Sequence, residues 1–368
     1  MTSSLMKKIA VFPLLTLLLA STAGKACAEA EFEFKSSSQQ VTTHPVMAKG
    51  FLPLLDLVKE KTGGRISITY YNPNTLMPTK ALLDGLRKGL IDIASFQPTQ
   101  ELARFPASEV IEMPMLFDSA LASSLSYLEL TRTNPYLKKE WSFLRPVTVT
   151  TSVPQDILSK KPIRTLEDLK GLRIAAVSSP GLEQIKLLGG IPVLLQLTDM
   201  YLSLQRGMVD AVMAPIPTYK SSKVCEVAKY LTKCNLGVMS SPFGFSMKSY
   251  NRLPADLKKS WDDIFENEGP TLFRASWIDR SATEDLEYIK KNNGVEVIEI
   301  SQAERVRWIK ALEPIYEEFI GKMKDRNIDG ESLLNECRAL NKKYSDPAVI
   351  SELFATYKAK YPNLEFGM

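Results

Sequence analysis

Hydrophobic and polar positions repeat with two different periods along the first hundred residues. Arg65 to Tyr71 is apolar at every second position, which is the period of a strand, whereas Pro45 to Lys61 is apolar at helical spacing. Glu31 to Ser36 and Leu90 to Phe96 predict further strands, and Thr79 to Lys88 predicts a second helix. Strands and helices therefore alternate, which indicates an α/β sheet that binds ligands at its strand ends.

An eight-residue pattern occurs twice, as LRKGLIDI at residues 86–93 and as LQRGMVDA at residues 204–211. In each copy a helix ends in a basic residue and a glycine, and a buried strand follows directly. A strand–helix unit precedes each copy, so the sequence predicts two similar α/β lobes, the second at about residues 153–245. Asp92 and Asp210 occupy equivalent positions, and we expect each to bond backbone at this junction rather than to form a paired-carboxylate enzyme site.

The C-terminal third is predicted to be mostly helical. Leu253-Pro254 opens a helix, and Gly269-Pro270 should interrupt or kink it. A strand is predicted at Val295 to Ile300, and Ser301 to Glu304 forms a capping box before an amphipathic helix. A final helix is predicted at about Gly330 to Lys343.

Residues 1–28 have the composition of a targeting segment. They contain three lysines and no acid, an apolar run from Ile9 to Ala20, and the small-x-small sequence Ala26-Cys27-Ala28. The apolar run is too short to span a bilayer comfortably, so we predict a secretory signal peptide cleaved after Ala28 and a periplasmic protein; an anchoring helix is the alternative. Cleavage lowers the formal net charge from +4 to +1, because three positive charges are lost. A nearly neutral chain gives no electrostatic case for nucleic-acid binding.

The predicted mature chain offers little material for catalysis. Its one histidine is His44, so a His-dependent triad, a His-rich zinc site or a haem site has little material to build on. It contains neither GxGxxG nor GxxxxGK[ST], so we predict no catalytic residues, no metal and no cofactor. Three cysteines remain in the predicted mature chain, namely Cys225, Cys234 and Cys337. Cys225 and Cys234 could form a local disulfide in an oxidising compartment, and three separate thiols are the equal alternative.

Several short stretches occur in an order and spacing that are specific together: EKTGGRISITYY, LLDGLRKGLIDIA, DLKGLRIAAV, LGGIPV, LTDMYLSLQRGMVDA and LPADLKKSWDDI. Over nearly the whole mature chain they resemble the periplasmic substrate-binding proteins of TRAP (tripartite ATP-independent periplasmic) transporters, the dicarboxylate-binding-protein-like family. The resemblance implies an α/β, two-lobe periplasmic binding protein fold with a long helix crossing both lobes and extra C-terminal helices. Lobe I is expected in residues 29–150, lobe II in 151–245, and the crossing helix, a return to lobe I and the C-terminal helices in 246–368.

The resemblance also implies a function. A receptor of this family binds a small organic solute between its lobes, closes by a hinge motion and delivers the solute to membrane permease subunits. We expect a monomer without membrane insertion, and crossing strands near Arg145 to Thr151 and Ser240 to Met247. A sensor that presents its ligand to a signalling receptor is the alternative, and an exported hydrolase is a third hypothesis.

The chain departs from the family at the expected ligand site. The family's usual ligand is a carboxylate, gripped by an arginine in the strand that corresponds to DLKGLRIAAV. This alignment puts Ala175 at the arginine position, and a two-residue slip that seats Arg173 there would break the match to the turn. The resulting wall is neutral and partly apolar, which suits a larger, weakly charged or aromatic solute. The predicted cleft residues are Gln40, His44, Phe96, Gln97, Gln155, Ala175, Ser178, Leu197 and Ala214.

The missing arginine leaves alternatives open. Ala175 and Ala176 could simply pack against a neighbouring helix, and Tyr219 is expected either near the cleft mouth or at the surface. A simple dicarboxylate would need another cation, for which the candidates are the loop residues Lys80, Lys160, Lys161 and Lys220.

Overall fold

The computed structural model describes residues 30–368, so the expected signal peptide, residues 1–28, lies outside the described residues. The described strands are β1 Phe32–Ser37, β2 Ile66–Tyr71, β3 Ile93–Ser95, β4 Leu144–Thr148, β5 Gln155–Ser159, β6 Arg173–Ala176, β7 Ile191–Leu194, β8 Ala211–Pro215, β9 Tyr230–Lys233, β10 Phe243–Ser246 and β11 Glu296–Glu299. The α-helices are α1 Pro45–Gly50, α2 Leu52–Lys61, α3 Leu82–Lys88, α4 Ala120–Thr133, α5 Pro135–Glu140, α6 Ser179–Leu187, α7 Met200–Gln205, α8 Ile216–Ser221, α9 Met247–Asn251, α10 Ala255–Phe265, α11 Gly269–Asn293, α12 Gln302–Lys324, α13 Gly330–Tyr344 and α14 Pro347–Lys360.

The strands form two separate sheets, one in each lobe. Lobe I has the order β2-β1-β3-β10-β4, with β10 antiparallel to both of its neighbours. Lobe II has the order β11-β9-β5-β8-β6-β7, in which β6, β7 and β8 are parallel and β5 is antiparallel. The expected two-lobe α/β fold is confirmed. Because β10 belongs to lobe I, the chain returns to that lobe before residue 245.

Two crossover segments join the lobes, and both connect the same edges of the two sheets. The first, residues 149–154, runs from the end of β4 to the start of β5, and the second, residues 234–242, runs from the end of β9 to the start of β10. The N–H of Ser152 donates to the carbonyl oxygen of Met239 at 2.8 Å, so the segments support each other. Since β4 runs parallel to β1 and β9 parallel to β8, the carboxyl ends of the parallel strands of both lobes face the crossovers.

Two long helices also extend over both lobes. In α11, Leu272 is buried in the core of lobe I and Ile289 in the core of lobe II. Between them Ile278 packs in a small cluster with Val153 of the first crossover. The expected crossing helix is therefore confirmed, and it begins at Gly269, where the sequence predicts an interruption. The helix α12 repeats the arrangement, because its first half packs on lobe II and its second half on lobe I.

The repeated sequence pattern produces the same local structure in each lobe. The glycine that ends each helix is left-handed, with φ of 74° at residue 89 and 72° at residue 207. Asp92 then accepts the N–H of Lys35 on β1 at 2.8 Å, and Asp210 accepts the N–H of Arg173 on β6 at 3.0 Å. The structural role predicted for both aspartates is confirmed.

Of the two alternatives for the cysteines, the Cys225–Cys234 disulfide is wrong and the three separate thiols are confirmed, because both residues, like Cys337, are buried free thiols. Cys225 lies in the core beneath α8, and Cys234 lies in the other core of lobe II, against α12. The strand β9 separates them, and four extended residues span about 13 Å. A disulfide joins Cα atoms no more than about 7 Å apart.

Candidate functional site

Five of the predicted cleft residues lie on the facing edges of the two lobes. Gln40 and His44 follow β1, and Gln97 follows β3, so all three lie beyond carboxyl ends in lobe I. In lobe II, Gln155 begins β5 and Ser178 follows β6. The hydroxyl of Ser178 accepts an N–H at the start of α6, at 3.3 Å, and thereby caps that helix.

The other predicted cleft residues differ in their surroundings. Phe96 packs inside lobe I, with its ring 5.4 Å from Phe105 and 5.5 Å from Trp141. Ala175 and Ala214 are fully buried in one core of lobe II, and Leu197 is exposed after β7. Packing alone accounts for the small side chains on β6 and β8. Contact of these four residues with a solute remains a prediction.

Arg173 does not replace the missing arginine. Its Nε and Nη2 atoms each lie 3.0 Å from a carboxylate oxygen of Asp210, and Nη2 also donates to the carbonyl oxygen of Gly207 at 2.7 Å. The hydrogen bond from Arg173 holds the pKa of Asp210 below its ordinary value. Because Arg173 begins β6, this pair lies at the edge of lobe II that faces away from the crossovers.

Three of the four candidate lysines are also remote from the cleft edge or already paired. Lys160 and Lys161 follow the last residue of β5, at the far edge of lobe II. Lys220 places Nζ at 2.5 Å from Oδ1 of Asp285 on α11. Lys80 is exposed in the short 3₁₀ helix before α3.

Tyr219 lies neither at the cleft mouth nor at the surface, so both expectations for this residue are wrong. It is fully buried in lobe II. Its hydroxyl donates to the carbonyl oxygen of Asp156 at 2.5 Å and accepts the N–H of Ala214 at 3.1 Å. Burial raises the pKa of Tyr219 well above its ordinary value. The phenol thus links β5 to β8.

A cation that the sequence analysis missed lies where the crossovers leave lobe I. Arg274, on α11, donates from Nη1 to Oγ1 of Thr150 and, at 3.0 Å, to the carbonyl oxygen of Ser241. These partners lie in different crossovers. Arg274 is 2% exposed, and its Nε atom has no hydrogen-bond partner in residues 30–368. Burial lowers the pKa of Arg274 to about 9, so the guanidinium is still charged at neutral pH.

Polar side chains of β2 and of the segment after β1 lie on the same side of lobe I as this cation, since a Cβ at Gly50 of α1 would lie 3.6 Å from Cγ of Arg274. The hydroxyl of Tyr70 donates to the carbonyl oxygen of Gln40 at 2.5 Å and shares a 2.6 Å hydrogen bond with Ser38. Nδ1 of His44 accepts an N–H of α1 at 3.3 Å, so neutral His44 carries its proton on Nε2. Burial lowers the pKa of His44, and the charge of Arg274 lowers it further. His44 caps the start of α1, and α1 packs against α11, the helix that carries Arg274.

A buried amide in lobe II was also missed. Gln184 on α6 is buried, its Oε1 has no partner within the described part of the chain, and its amide lies beside Gly237 of the second crossover. Gln155, which donates its backbone N–H to Gly237 at 2.8 Å, is buried nearby. A buried cation with neutral amide, phenol and hydroxyl groups on facing edges suits the binding of an organic anion.

No helix in residues 30–368 combines the length and apolarity that crossing a membrane requires. The comparisons with known proteins agree with the two-lobe architecture. Residues 37–322 match the DctP family, described as bacterial extracellular solute-binding protein, family 7. The C4-dicarboxylate-binding protein DctB of Bacillus subtilis (strain 168) is 26% identical over 293 residues, which cover 78% of this chain and 80% of the relative.

Two solved structures have the same fold. A TRAP periplasmic solute-binding protein from Desulfovibrio salexigens, in an open form, has a TM-score of 0.80 and 26% identity, covering 86% of this chain and 97% of its own. A TRAP solute-binding protein from Rhodoferax ferrireducens, in complex with copurified benzoate, has a TM-score of 0.75 and 24% identity, covering 86% and 99% of the two chains.

Proposed function

The chain belongs to the DctP family, the bacterial extracellular solute-binding proteins of family 7, and on that premise we propose that it is the solute receptor of a TRAP transporter. The observation that carries the proposal is the geometry of the crossovers. Both segments join the carboxyl edges of the two sheets, so rotation about residues 149–154 and 234–242 would bring Gln40, His44 and Gln97 towards Gln155 and Ser178.

The proposed solute is an organic acid, with aromatic or weakly charged acids favoured over simple dicarboxylates. The relatives support the carboxylate, because the Bacillus protein is named for dicarboxylates and the Rhodoferax protein holds benzoate. The absence of an arginine at position 175 and the neutral side chains at the edges support the preference for a single charge. A second carboxylate would lie among the amides and hydroxyls of the facing edges, which carry no positive charge to pair with it.

The proposed receptor acts outside the cytoplasm and works by closing on its solute. The mature chain, released by cleavage after Ala28, binds its solute in the periplasm as a monomer and docks on the TRAP permease subunits in its closed form. It performs no covalent chemistry and uses no cofactor. Solute binding at facing edges couples directly to lobe closure, because each lobe contributes part of the site.

A thermal-shift screen of residues 29–368 tests the proposal. The solutes are aromatic acids, dicarboxylates, aromatic amino acids and neutral polyols. A ligand at a hundred times its Kd stabilises the folded state by about 2.7 kcal/mol, which raises the Tm by several degrees. We expect aromatic acids to raise the Tm and to be recovered unchanged. Stabilisation by small dicarboxylates alone would contradict the aromatic preference, and no response to any acid would contradict an organic-acid receptor.

A further inference from the structure

We propose that Arg274 pairs with the carboxylate of the solute and thereby replaces the arginine that the chain lacks at position 175. This inference rests on the proposed function and specifies how the solute is held. It moves the anchoring cation from a strand of lobe II to the helix that crosses both lobes.

Arg274 lacks a counter-ion in the described part of the chain. Arg132, Arg145 and Arg173 each have a carboxylate at salt-bridge distance. Arg274 has no such partner in residues 30–368, although it is far more buried. The next acid along α11, Asp279, accepts the N–H groups of the first two residues of α4 at 2.8 and 2.9 Å. A buried charge without a counter-ion is unfavourable, so the site favours an incoming anion.

The guanidinium of Arg274 is also held in one orientation. Its Nη1 is held by two neutral acceptors, Thr150 and Ser241, which fix the plane of the group without neutralising it. The Nε atom is left unpartnered in the described part of the chain. A carboxylate that binds an arginine bidentately can use the Nε and Nη2 atoms of the fork. The structure thus satisfies one side of the guanidinium and leaves a donor on the other side.

Arg274 lies beside both crossovers, where the lobes meet. Its partners Thr150 and Ser241 belong to different crossovers. The residues after β1, Gln40 and His44, lie at the same edge of lobe I, and Gln40 is bonded there by Tyr70. A carboxylate on Arg274 would therefore lie at the hinge, where solute atoms can reach both lobes. The helix that His44 caps also packs on Arg274, because a Cβ at Gly50 would lie 3.6 Å from Cγ of Arg274.

Isothermal titration with matched acids and amides tests the inference. The probes are benzoate, 3-hydroxybenzoate, mandelate and succinate, each with its neutral amide. We expect Arg274→Met to weaken acid binding by about 30-fold or more, since loss of a buried charged partner costs at least about 2 kcal/mol. Binding of the amide should stay unchanged. Arg280→Met is the matched control, because Arg280 lies on the same helix and pairs with exposed Glu284.

The outcomes separate the inference from the proposed function. If the unsubstituted protein binds none of the acids, both are overturned. If it binds an acid and Arg274→Met binds that acid equally well, the inference is overturned and the receptor function stands. Should Arg274→Met fail to fold, a crystal structure of the unsubstituted protein with its bound acid decides. A carboxylate within hydrogen-bond distance of Arg274 supports the inference, and a carboxylate held elsewhere overturns it.

Discussion

Arg173 and Asp210 form a two-bond ion pair, in which Nε and Nη2 of the arginine lie 3.0 Å from the two carboxylate oxygens. The pair closes the junction between α7 and β8 onto the start of β6. The arginine closest in sequence to the family's anchoring position is thereby committed to the fold, on the edge of lobe II that faces away from the crossovers.

Substitution of Arg173 should leave solute binding unchanged. Arg173→Gln removes the ion pair at the far edge of lobe II, so we expect a small loss of stability and the same Kd for the acid. Isothermal titration measures the Kd of the acid for Arg173→Gln and for Arg274→Met in parallel. A large loss of affinity in Arg173→Gln would contradict this prediction and would indicate that Arg173 binds the carboxylate of the solute.

Removal of the Tyr219 hydroxyl should destabilise lobe II. Tyr219→Phe leaves the buried N–H of Ala214 and the carbonyl oxygen of Asp156 without this partner. An unsatisfied buried donor costs about 1–3 kcal/mol, and we expect that loss in the free energy of unfolding measured with urea. Tyr288→Phe is the control, because Tyr288 is exposed. Equal stability of the two variants would contradict the linking role.

Two buried carboxyl groups should make stability depend on pH. Burial raises the pKa of Glu140 to about 7 and that of Asp279 to about 6. Each group then binds its proton more tightly in the folded state. Its stabilising contribution is present below the ordinary carboxyl pKa and is lost as the pH rises through about 6 to 7.

Glu140→Gln isolates one of these contributions. We expect it to remove a decline of up to about 3 kcal/mol in the free energy of unfolding between about pH 4.5 and 7.5. Urea unfolding at several pH values measures the decline, and Glu317→Gln, at an exposed position of α12, is the control. The same slope in Glu140→Gln and in the unsubstituted protein would contradict the prediction.

Solute binding should take up protons through His44. Burial and the charge of Arg274 lower the pKa of this imidazole, while Asp285 raises it. A carboxylate bound at Arg274 adds negative charge, so the pKa of His44 rises on binding and the affinity increases as the pH falls through the pKa that His44 has in the complex.

His44→Asn tests the proton uptake, because asparagine can still cap α1 but does not titrate. Titrations in buffers of different ionisation enthalpy count the protons taken up per solute. We expect the uptake to disappear in His44→Asn, and an unchanged pH dependence of Kd would contradict the assignment.

The fold was largely predictable because its signals are local. The helix–glycine–strand pattern repeats within eight residues and identifies both lobes. Two features of the helices were not predicted, because they depend on contacts between residues far apart in the chain. The helix predicted at residues 45–61 breaks at Phe51, whose ring stacks on Phe243 at 3.7 Å. The helix α14 was not predicted. It is buried mainly through Phe354 and Tyr357, so its sequence shows little amphipathic pattern.

The site was less predictable because its members meet only in three dimensions. Arg274 is 124 residues from Thr150 in the chain, and no spacing rule links them. A usable signal was present, since Arg274 is the one charged residue in the run Leu272 to Ile278. The strand positions taken from the family alignment instead led to Ala175, whose surroundings are filled by packing.

If the two lobes close on a bound acid, the distance across the cleft shortens, and that distance can be measured. Spin labels on Gln100→Cys in lobe I and Thr198→Cys in lobe II sit at exposed positions of the short 3₁₀ helices after β3 and β7, whereas the native cysteines are buried. Pulsed electron resonance measures the separation of the labels with and without benzoate, or with whichever acid raises the Tm in the screen. We expect the distribution of distances between the two labels to become shorter and narrower when the acid is bound. An identical distribution in the presence of a bound acid would contradict it.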